Sequence, residues 1–383
     1  MTDTLTTLAS LVGFPSICGT PNGPIIDWIE QRLRQTGARI QRVPGDQTGR
    51  SSLFASLGPE TPDGIILSAH SDVVPVEGQN WTTDPFILTE RDGKLYGRGS
   101  SDMKGFLACM LTAAARAKTL PLKRPLHLAI SHDEELGCLG VRSLLTALRT
   151  NGLRAYGCVV GEPTSMTVAT AHKGKIALEI TCHGQAAHSA NPFCGINAIV
   201  LASKMILDIQ NLQNYISQTE THDTRFDVPF STVQTGLIKG GTALNIVPDL
   251  CVFRTEIRLL PGIQPEPYLA WLENAALRIT HNQTEGQIAI TITNSYPGLT
   301  SSTAATSFLN IGLRYARQNQ TTVIDFGTEA GLFERELNIP CLVCGPGSIN
   351  RAHKADEYIT HEELQEGDLF LANILEDLCH SCV

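Results

Sequence analysis

Side chains that could bind a metal ion follow four apolar, strand-like runs of this 383-residue chain. His70 comes directly after the first run, and Glu162 directly after the third. The second run is followed by Glu134 and Glu135, and His353 lies a short distance beyond the fourth. In a parallel sheet the carboxyl ends of neighbouring strands open onto one crevice, so residues distant in sequence can converge there. Imidazoles and carboxylates are ligands that zinc or a similar divalent ion accepts.

Asp102 is a fifth candidate ligand. It lies in the string Gly97–Gly105, at the start of an Ala-rich stretch with helical character. A carboxylate there could instead cap the helix, since negative charge is stabilised near a helix N-terminus. The two roles are compatible, so Asp102 stays in the candidate set.

The first half of the chain alternates helix and strand signals. A helix is predicted over residues 24–36, because apolar residues recur there at helical spacing and Gly37 is a favoured C-terminal cap. The next predicted elements are a strand at 65–69, a helix at about 103–117, a strand at 126–131, a helix at about 138–150 and a strand at 157–161. This βαβ succession predicts an α/β fold, with a mainly parallel sheet between helices.

The pattern changes near residue 174. Apolar and polar residues alternate from 176 and again from 251, which is typical of antiparallel sheets with one solvent-facing side. A strand is predicted at 231–238, with helices at about 196–213 and 267–280. After them, signals resume at 286–293, 302–317, 340–344 and 361–378. We therefore predict an inserted α+β domain over 174–284, and a discontinuous catalytic domain formed by 1–173 and 285–383.

Composition and charge limit the number of domains, the kinds of partner and the location that the sequence predicts. A chain of 383 residues with 42% hydrophobic content exceeds what one core usually sustains, which favours two domains. The net charge of −9 and the lack of a dense Lys/Arg run argue against nucleic acid or an anionic membrane as partner. No apolar segment approaches the roughly 20 residues that a membrane span needs. With the polar start Met1–Thr4, these features predict a cytoplasmic protein.

Eleven cysteines favour reduced thiols in an intracellular protein over a disulfide framework. Two Cys-x-x-Cys pairs, Cys341 with Cys344 and Cys379 with Cys382, could together supply a four-thiolate structural zinc. The favoured alternative places Cys341 and Cys344 in a buried strand, where free cysteine is a common small core residue.

Five ordered strings resemble the di-zinc aminoacylase/carboxypeptidase family of metallohydrolases. They are Ser68–Pro75, Gly97–Gly105, Asp133–Glu135, Gly161–Pro163 and Gly345–Tyr358. The resemblance extends into the insert through His183–Ser189 and Asn245–Pro248. The last of the five strings, together with Gly327–Ala330, most resembles the members that deacetylate N2-acetyl-L-ornithine. The resemblance therefore implies amide hydrolysis of a small N-acyl amino acid.

The resemblance also implies a ligand set. His70 and Glu162 would hold one zinc, Glu135 and His353 the other, and Asp102 would bridge both. The implied cofactors are two Zn²⁺ ions per subunit, with Co²⁺ as an alternative. In paired-metal sites the ions lie roughly 3.5–4 Å apart, and zinc can lower the pKa of a bound water from about 15.7 to near 7. A nucleophile is then available at neutral pH.

Three further residues are predicted to take part in catalysis. Glu134 is the expected general base, because adjacent side chains point in different directions and Glu135 can ligate while Glu134 reaches the water. Asp72 is placed to fix the imidazole tautomer of His70. The resemblance makes His188 a donor that reaches into the partner subunit's site and stabilises the oxyanion. The alternative for His188 is an ordinary histidine on the surface of the insert.

Substrate recognition is predicted at three positions. Glu329 would pair with the side-chain ammonium of the substrate, although it could simply be a carboxylate at a helix start. Asn245 and Arg258 would bind the substrate's carboxylate, Arg258 by a two-pronged contact. A solvated role on the polar sheet face is the alternative for Arg258. The chain departs from its relatives after Glu329, where Gly331 replaces the usual proline.

Other functions remain open at this point. Within the family they are succinyl-diaminopimelate desuccinylase, N-acyl amino acid aminoacylase and metallo-carboxypeptidase activity. Outside it, the chain could be a non-catalytic metal-binding interaction protein. The exposed sheet edge and helix expected in the insert suit pairing with a second copy, so a homodimer is predicted.

Overall fold

The structure is a computed structural model that describes residues 3–281, 285–300, 306–316 and 319–381. It divides into two compact units. Unit 1 comprises Met1–Ala171, Leu299–Val323 and Thr328–Val383. Unit 2 comprises His172–Gly298 and Ile324–Gly327.

The helices of the described residues lie in all three chain segments of unit 1 and in unit 2. They are α1 (Asp3–Val12), α2 (Gly23–Gln35), α3 (Lys104–Ala117), α4 (Gly140–Thr150), α5 (Ala198–Thr219), α6 (Glu266–Ile279), α7 (Thr306–Tyr315), α8 (Ala330–Leu337) and α9 (His361–Leu378). None of them combines the length and the apolar character needed to cross a lipid bilayer.

The strands of the described residues form three sheets. They are β1 (Arg39–Pro44), β2 (Ser51–Leu57), β3 (Ile65–His70), β4 (Thr89–Arg91), β5 (Lys94–Tyr96), β6 (Leu126–Ser131), β7 (Gly157–Val160), β8 (Val168–His172), β9 (Gly174–His183), β10 (Thr232–Gly240), β11 (Leu250–Leu259), β12 (Gln287–Tyr296), β13 (Thr321–Ile324), β14 (Cys341–Val343) and β15 (Tyr358–Thr360).

The large sheet of unit 1 has the order β1-β2-β6-β3-β7-β14-β8-β13 in the described residues. Its centre is parallel, since β6 pairs with β3, β3 with β7, and β7 with β14 in the same direction. Antiparallel pairs flank this centre, as in β2 with β6 and β14 with β8. The predicted α/β class with a mainly parallel sheet is confirmed. The four central strands therefore end at one edge of the sheet.

Helix α3 covers the centre of this sheet and is buried along most of its length. Its alanines leave room for a close approach to the strands, while Phe106 packs against the end of β7. A Cβ atom on Gly161 would lie 1.9 Å from the Phe106 ring. Only glycine fits at position 161, because the Phe106 ring of α3 packs directly against the backbone that precedes Glu162.

Unit 2 contains an antiparallel sheet in the order β10-β11-β9-β12. Alternate residues of β9 are buried, from Ile176 to Cys182, as the period-two pattern predicts. They pack with the apolar faces of α5 and α6 in a core of their own. The polar face of this sheet carries ion pairs such as Arg254 with Glu179, whose N···O distance is 2.9 Å.

Two boundaries differ from the prediction. Residues 285–298 were assigned to the catalytic domain, but β12 lies in unit 2 because it pairs with β9 along most of its length. Residues 324–327 also belong to unit 2, which begins at His172 and not at 174. The predicted helix at 302–317 corresponds to α7, and residues 302–305 and 317 lie outside the described residues.

Candidate metal centre

The candidate ligands lie where the parallel strands of unit 1 end. His70 is the last residue of β3, and Glu162 follows β7 by two positions. Glu135 lies in the turn after β6, and His353 lies in the segment after β14. Asp102 stands two residues before α3, and its peptide bond to Met103 is cis. The sheet edge thus gathers residues from the whole length of unit 1.

A first triad consists of His70, Asp102 and Glu162, all three buried. One potential ligand atom from each residue lies within 4.8 Å of the others. His70 Nε2 is 3.2 Å from Asp102 Oδ1 and 3.9 Å from Glu162 Oε1. Ligand atoms at this spacing could hold one metal ion.

A second triad consists of Asp102, Glu135 and His353, whose potential ligand atoms also lie within 4.8 Å of one another. His353 Nε2 is 2.9 Å from Glu135 Oε2 and 3.3 Å from Asp102 Oδ2. Asp102 therefore turns one oxygen toward each triad. The side chain of His353 is 50% exposed, which opens this triad toward solvent.

Two contacts orient the imidazole of His70. Its Nδ1 lies 2.9 Å from the backbone carbonyl oxygen of Asp72 and 3.6 Å from the Asp72 carboxylate. The carbonyl can only accept, so it selects the tautomer with the proton on Nδ1 and a lone pair on Nε2. The prediction had given this role to the Asp72 carboxylate. That carboxylate instead accepts hydrogen bonds from the backbone N–H groups of Glu134 and Glu135, both at 3.2 Å.

Asp133 anchors the turn that carries Glu134 and Glu135. Its carboxylate accepts hydrogen bonds from the backbone N–H of Gly19 and from Arg50 Nη1, both at 2.7 Å, and lies 3.0 Å from His132 Nδ1. Burial opposes ionisation, but hydrogen bonds from His132 and Gly19 hold the pKa of Asp133 below its ordinary value. The turn is thereby anchored through Asp133 as well as through the Asp72 carboxylate.

Glu134 belongs to neither triad. Its Oε1 accepts a hydrogen bond from the Cys138 thiol, with a distance of 3.2 Å to Sγ. Burial raises the pKa of Glu134 to about 8, with the nearby carboxylates of Glu135 and Glu329 adding to it and His70 opposing. A carboxylate with a pKa near neutrality can both take and return a proton.

The triads concentrate acidic groups in a buried space. Burial and the charge of Asp102 raise the pKa of Glu162 well above its ordinary value and that of Glu135 to about 7. Hydrogen bonds to Asp102 and Glu135 raise the pKa of His353 to about 10. Buried carboxylates in excess of the cations around them are costly unless positive charge joins them. Two imidazole nitrogens and several carboxylates are also the donors that Zn²⁺ takes, so the residues fit a pair of divalent ions.

Glu329 lies immediately before α8 and is almost fully buried. Ser68 Oγ donates a hydrogen bond to its Oε2 at 3.2 Å. Burial raises the pKa of Glu329 to about 7, against the lowering effect of the Ser131 and Ser68 hydroxyls. Among the described residues, no lysine, arginine or histidine forms an ion pair with this carboxylate.

His188 and Asn245 lie on neighbouring segments of unit 2. His188 pairs with Ile246 in an isolated β-bridge, and the Ser189 N–H donates to the Asn245 carbonyl at 3.0 Å. His188 is exposed, and its Nδ1 accepts a hydrogen bond from the Ala190 N–H at 3.1 Å. In the neutral ring the proton is therefore on Nε2, which is left as a donor.

Arg258 lies in a different part of unit 2 from His188 and Asn245. It is near the far end of β11, roughly 26 Å along the strand from Leu250. Its Nε donates to Glu256 Oε1 at 2.6 Å and its Nη1 to the Tyr296 hydroxyl at 3.3 Å. The structure does not bring Arg258 together with Asn245 in one protomer. The alternation of apolar and polar residues in this strand did not predict the ion pair of Arg258 with Glu256.

The cysteine pairs show no metal site in the described part of the chain. Cys341 and Cys344 are buried, in agreement with the core alternative, and the groups of three or more candidate ligands contain no cysteine. Cys379 donates to a backbone carbonyl of α9, and Cys382 lies outside the described residues.

Sequence reasoning missed Asp133, Cys138 and Glu357, the last of which accepts a hydrogen bond from the Asp102 N–H at 3.0 Å. Asp133 and Glu357 lie inside two of the family-like strings, so their position beside predicted ligands was an available signal. Cys138 had no such signal, since it contacts Glu134 only because the chain turns back before α4.

Comparison with known proteins places these features in a family. Residues 66–377 match the model of peptidase family M20/M25/M40. The chain is 35% identical, over 389 residues and 99% of both chains, to an acetylornithine deacetylase of Myxococcus xanthus.

Solved structures share the fold at low identity. A metallo-carboxypeptidase of Sulfolobus solfataricus aligns with a TM-score of 0.79 at 18% identity, covering 99% of this chain and all of the other. A tripeptidase of Staphylococcus aureus aligns with a TM-score of 0.78 at 20% identity, covering 99% and 98%. A dinuclear metal-binding peptidase of Bacillus subtilis aligns with a TM-score of 0.68 at 16% identity, covering 97% and 96%.

Proposed function

We propose that this chain, which belongs to peptidase family M20/M25/M40, hydrolyses N2-acetyl-L-ornithine to L-ornithine and acetate, a step of arginine biosynthesis. The family and the hydrolase class predicted from the sequence are confirmed. Similarity to an acetylornithine deacetylase over nearly the whole chain supports the choice of substrate. The observation that carries the reaction type is the pair of triads sharing Asp102, with Glu134 next to the ligand Glu135 in the chain.

The proposed cofactors are two Zn²⁺ ions per subunit, with Co²⁺ as an alternative. His70, Asp102 and Glu162 would hold one ion, and Asp102, Glu135 and His353 the other. When bound, such ions polarise the acyl carbonyl and lower the pKa of the attacking water.

Glu134 is the proposed general base and then general acid. Its carboxylate takes a proton from the attacking water as the C–O bond forms, and returns that proton to the nitrogen as the C–N bond breaks. The Cys138 thiol holds one carboxylate oxygen and so limits rotation of the group. His188 would donate from Nε2 to the oxyanion in the partner subunit's site, a contribution of the kind that oxyanion donors make.

Glu329 is the proposed partner of the substrate's side-chain ammonium. Its buried carboxylate has no cationic partner among the described residues, and an ammonium would supply the missing charge. Because it also raises the pKa of Glu134, Glu329 could act on the base alone.

Glu329→Gln separates these two roles. We expect kcat/KM for N2-acetyl-L-ornithine to fall by about 100-fold, while that for a neutral N-acetyl amino acid changes little, because only the first substrate carries the ammonium. Both substrates are to be assayed with the same preparation of each protein. Equal losses on the two substrates would remove the recognition role and leave the effect on Glu134.

Asn245 and Arg258 are the proposed contacts of the substrate's carboxylate. Since one protomer holds them far apart, a single carboxylate cannot use both from the same chain. The KM values of the Asn245→Ala and Arg258→Ala variants identify the one that is used.

A homodimer through unit 2 is the proposed assembly. Strand β10 is an edge of its sheet, and its Leu237 and Ile238 are exposed. Helix α5 packs beside β10 and exposes further apolar residues, among them Val200 and Leu207. An unpaired edge strand with apolar side chains favours pairing with a second copy.

Leu237→Glu tests this assembly, with Leu369→Glu as the matched control. Both leucines are 63% exposed, but Leu369 lies on α9 in unit 1. We expect Leu237→Glu to elute as a monomer in light-scattering chromatography, since a buried charge disfavours the interface, and Leu369→Glu to remain a dimer. Loss of the dimer should also lower kcat by about 100-fold, because His188 then has no partner site to reach. A fully active monomer would exclude that role of His188.

One assay distinguishes N2-acetyl-L-ornithine from the alternative substrates. Zinc-loaded protein is offered N2-acetyl-L-ornithine, N-succinyl-diaminopimelate, neutral N-acyl amino acids and dipeptides. The proposal requires the highest kcat/KM on the first of these. A non-catalytic metal-binding protein would turn over none of them.

The cytoplasm is the proposed location. The ten cysteines in the described part of the chain are free, as expected in a reducing compartment. Cell fractionation with an antibody to the chain tests the location.

A further inference from the structure

The loop that carries Asp102 wraps around a single buried carboxylate, that of Glu357. Glu357 Oε1 accepts hydrogen bonds from the backbone N–H groups of Ser101 at 2.9 Å and Asp102 at 3.0 Å. Its Oε2 accepts from the Gly99 N–H at 3.0 Å. Successive backbone N–H groups that converge in this way form a cradle for an anion. Here the anion belongs to the chain itself.

Arg98 balances the charge of this carboxylate. Its Nη1 donates to Glu357 Oε2 at 2.6 Å, and each of the two residues is only 1% exposed. The guanidinium also lies over the ring of Trp81, 5.0 Å from its centroid. A charge-assisted hydrogen bond between two buried groups is short and strongly directional. Glu357 is therefore held from one side by Arg98 and from the other by the loop.

The side chain of Asp102 is held by other members of the triads. Its two oxygens face His70 and His353, at 3.2 Å and 3.3 Å. Support from outside the triads reaches Asp102 through its backbone, whose N–H donates to Glu357.

Glu357 also lies on the segment that supplies the other histidine. It follows His353 by four residues, and its backbone carbonyl accepts a hydrogen bond from the Gly97 N–H at 3.0 Å. Nearby, the Ser348 N–H donates to Ser101 Oγ at 3.0 Å. The C-terminal segment and the Asp102 loop are thus joined at several points.

We infer that Glu357 is the positioning residue of the metal centre, because its carboxylate fixes the ligand shared by both triads to the segment that carries His353. The inference rests on the proposed function, in which Asp102 binds both ions. Glu357 supplies no ligand atom to either triad and contacts Asp102 through the backbone N–H. Groups that orient ligands in this way typically affect metal affinity by about 10–100-fold.

Glu357→Gln is the principal test, made on the full chain. The amide replaces one acceptor oxygen by an NH₂ group that faces backbone N–H donors, and it removes the charge opposite Arg98. Zn²⁺ affinity is measured by competition with a chromophoric chelator, together with the Tm of the metal-free protein. We expect both ions to bind about 10–100-fold more weakly, and Glu357→Asp, which keeps the charge, to lose less.

Glu363→Gln is the matched control. Glu363 is also a partly buried carboxylate of the C-terminal segment, paired with Arg351 and with the Thr360 N–H, but it does not touch the Asp102 loop. It should lower Tm without changing Zn²⁺ affinity. If Glu357→Gln also lowers Tm alone and both affinities stay at the wild-type value, Glu357 is merely structural and the inference is overturned.

Hydrogen exchange provides a test that needs no variant. In metal-free wild-type protein the amides of Ser101 and Asp102 should be protected, since Glu357 accepts both. Rapid exchange at both amides would contradict the inference even if Glu357→Gln fails to fold. A wild-type chain that binds fewer than two Zn²⁺ ions would instead count against the proposed function, so the two failures are distinguishable.

Discussion

Glu134→Gln should lower kcat for amide hydrolysis by about 10²–10⁴-fold while both metal ions remain bound. Glutamine has the shape of glutamate but cannot take the proton of the attacking water. Glu134 is not a member of either triad, so the change leaves the candidate ligands in place. The measurements are kcat at saturating substrate and metal content per chain by plasma mass spectrometry.

The pH profile provides a second readout of the same variant. Glu134 must be deprotonated to act as a base, so kcat/KM of the wild type should fall as pH decreases through its pKa. That acid limb should be absent from the residual activity of Glu134→Gln. Glu60→Gln, a change at a solvent-exposed ion pair in unit 1, is the control and should behave as wild type. Near-normal turnover by Glu134→Gln with two ions bound would refute the proposed mechanism.

Asp102→Ala should abolish binding of both ions, whereas Glu162→Ala should abolish binding of one. Asp102 contributes an oxygen to each triad, so its loss leaves two side chains in each. Glu162 belongs to the first triad only, and the second remains complete without it. Equilibrium dialysis against Zn²⁺ should give two ions for wild type, one for Glu162→Ala and none for Asp102→Ala.

Thermal stability checks the same expectation independently. Ions that bind only the folded state raise Tm, so Zn²⁺ should raise Tm most in wild type and not at all in Asp102→Ala. Activity of Asp102→Ala should be undetectable. Retention of two ions by Asp102→Ala would show that Asp102 is not the shared ligand, and the two triads would then have to be independent sites.

The strands that carry the site were predictable because buried parallel strands appear as uninterrupted apolar runs. Predicted strands at 65–69, 126–131 and 157–161 match β3, β6 and β7 within one residue at each end. Strand β2 was not predicted. Its sequence contains three serines, and it is buried because it lies between β1 and β6 and because α2 and α4 pack against it.

The end of the second domain was misplaced for a related reason. Strand β12 carries an apolar pattern that fits either sheet, and its own residues do not specify a partner. Pairing with β9 assigns it to unit 2. Arg258 was predicted either to bind the substrate's carboxylate or to be solvated, and neither alternative included its contacts with Glu256 and Tyr296.

The candidate ligand types were predictable from residue identity and from their position at the ends of apolar runs. The class of chemistry and the grouping of the ligands rested on the resemblance to the family, and the general base stays a prediction. The division of the Asp102 oxygens between His70 and His353 could not be derived in this way. Nor could the support from Glu357, or the carbonyl of Asp72 that orients His70. They are distances between segments far apart in the chain, and such distances exist only once the order of the strands and the path of each loop are established.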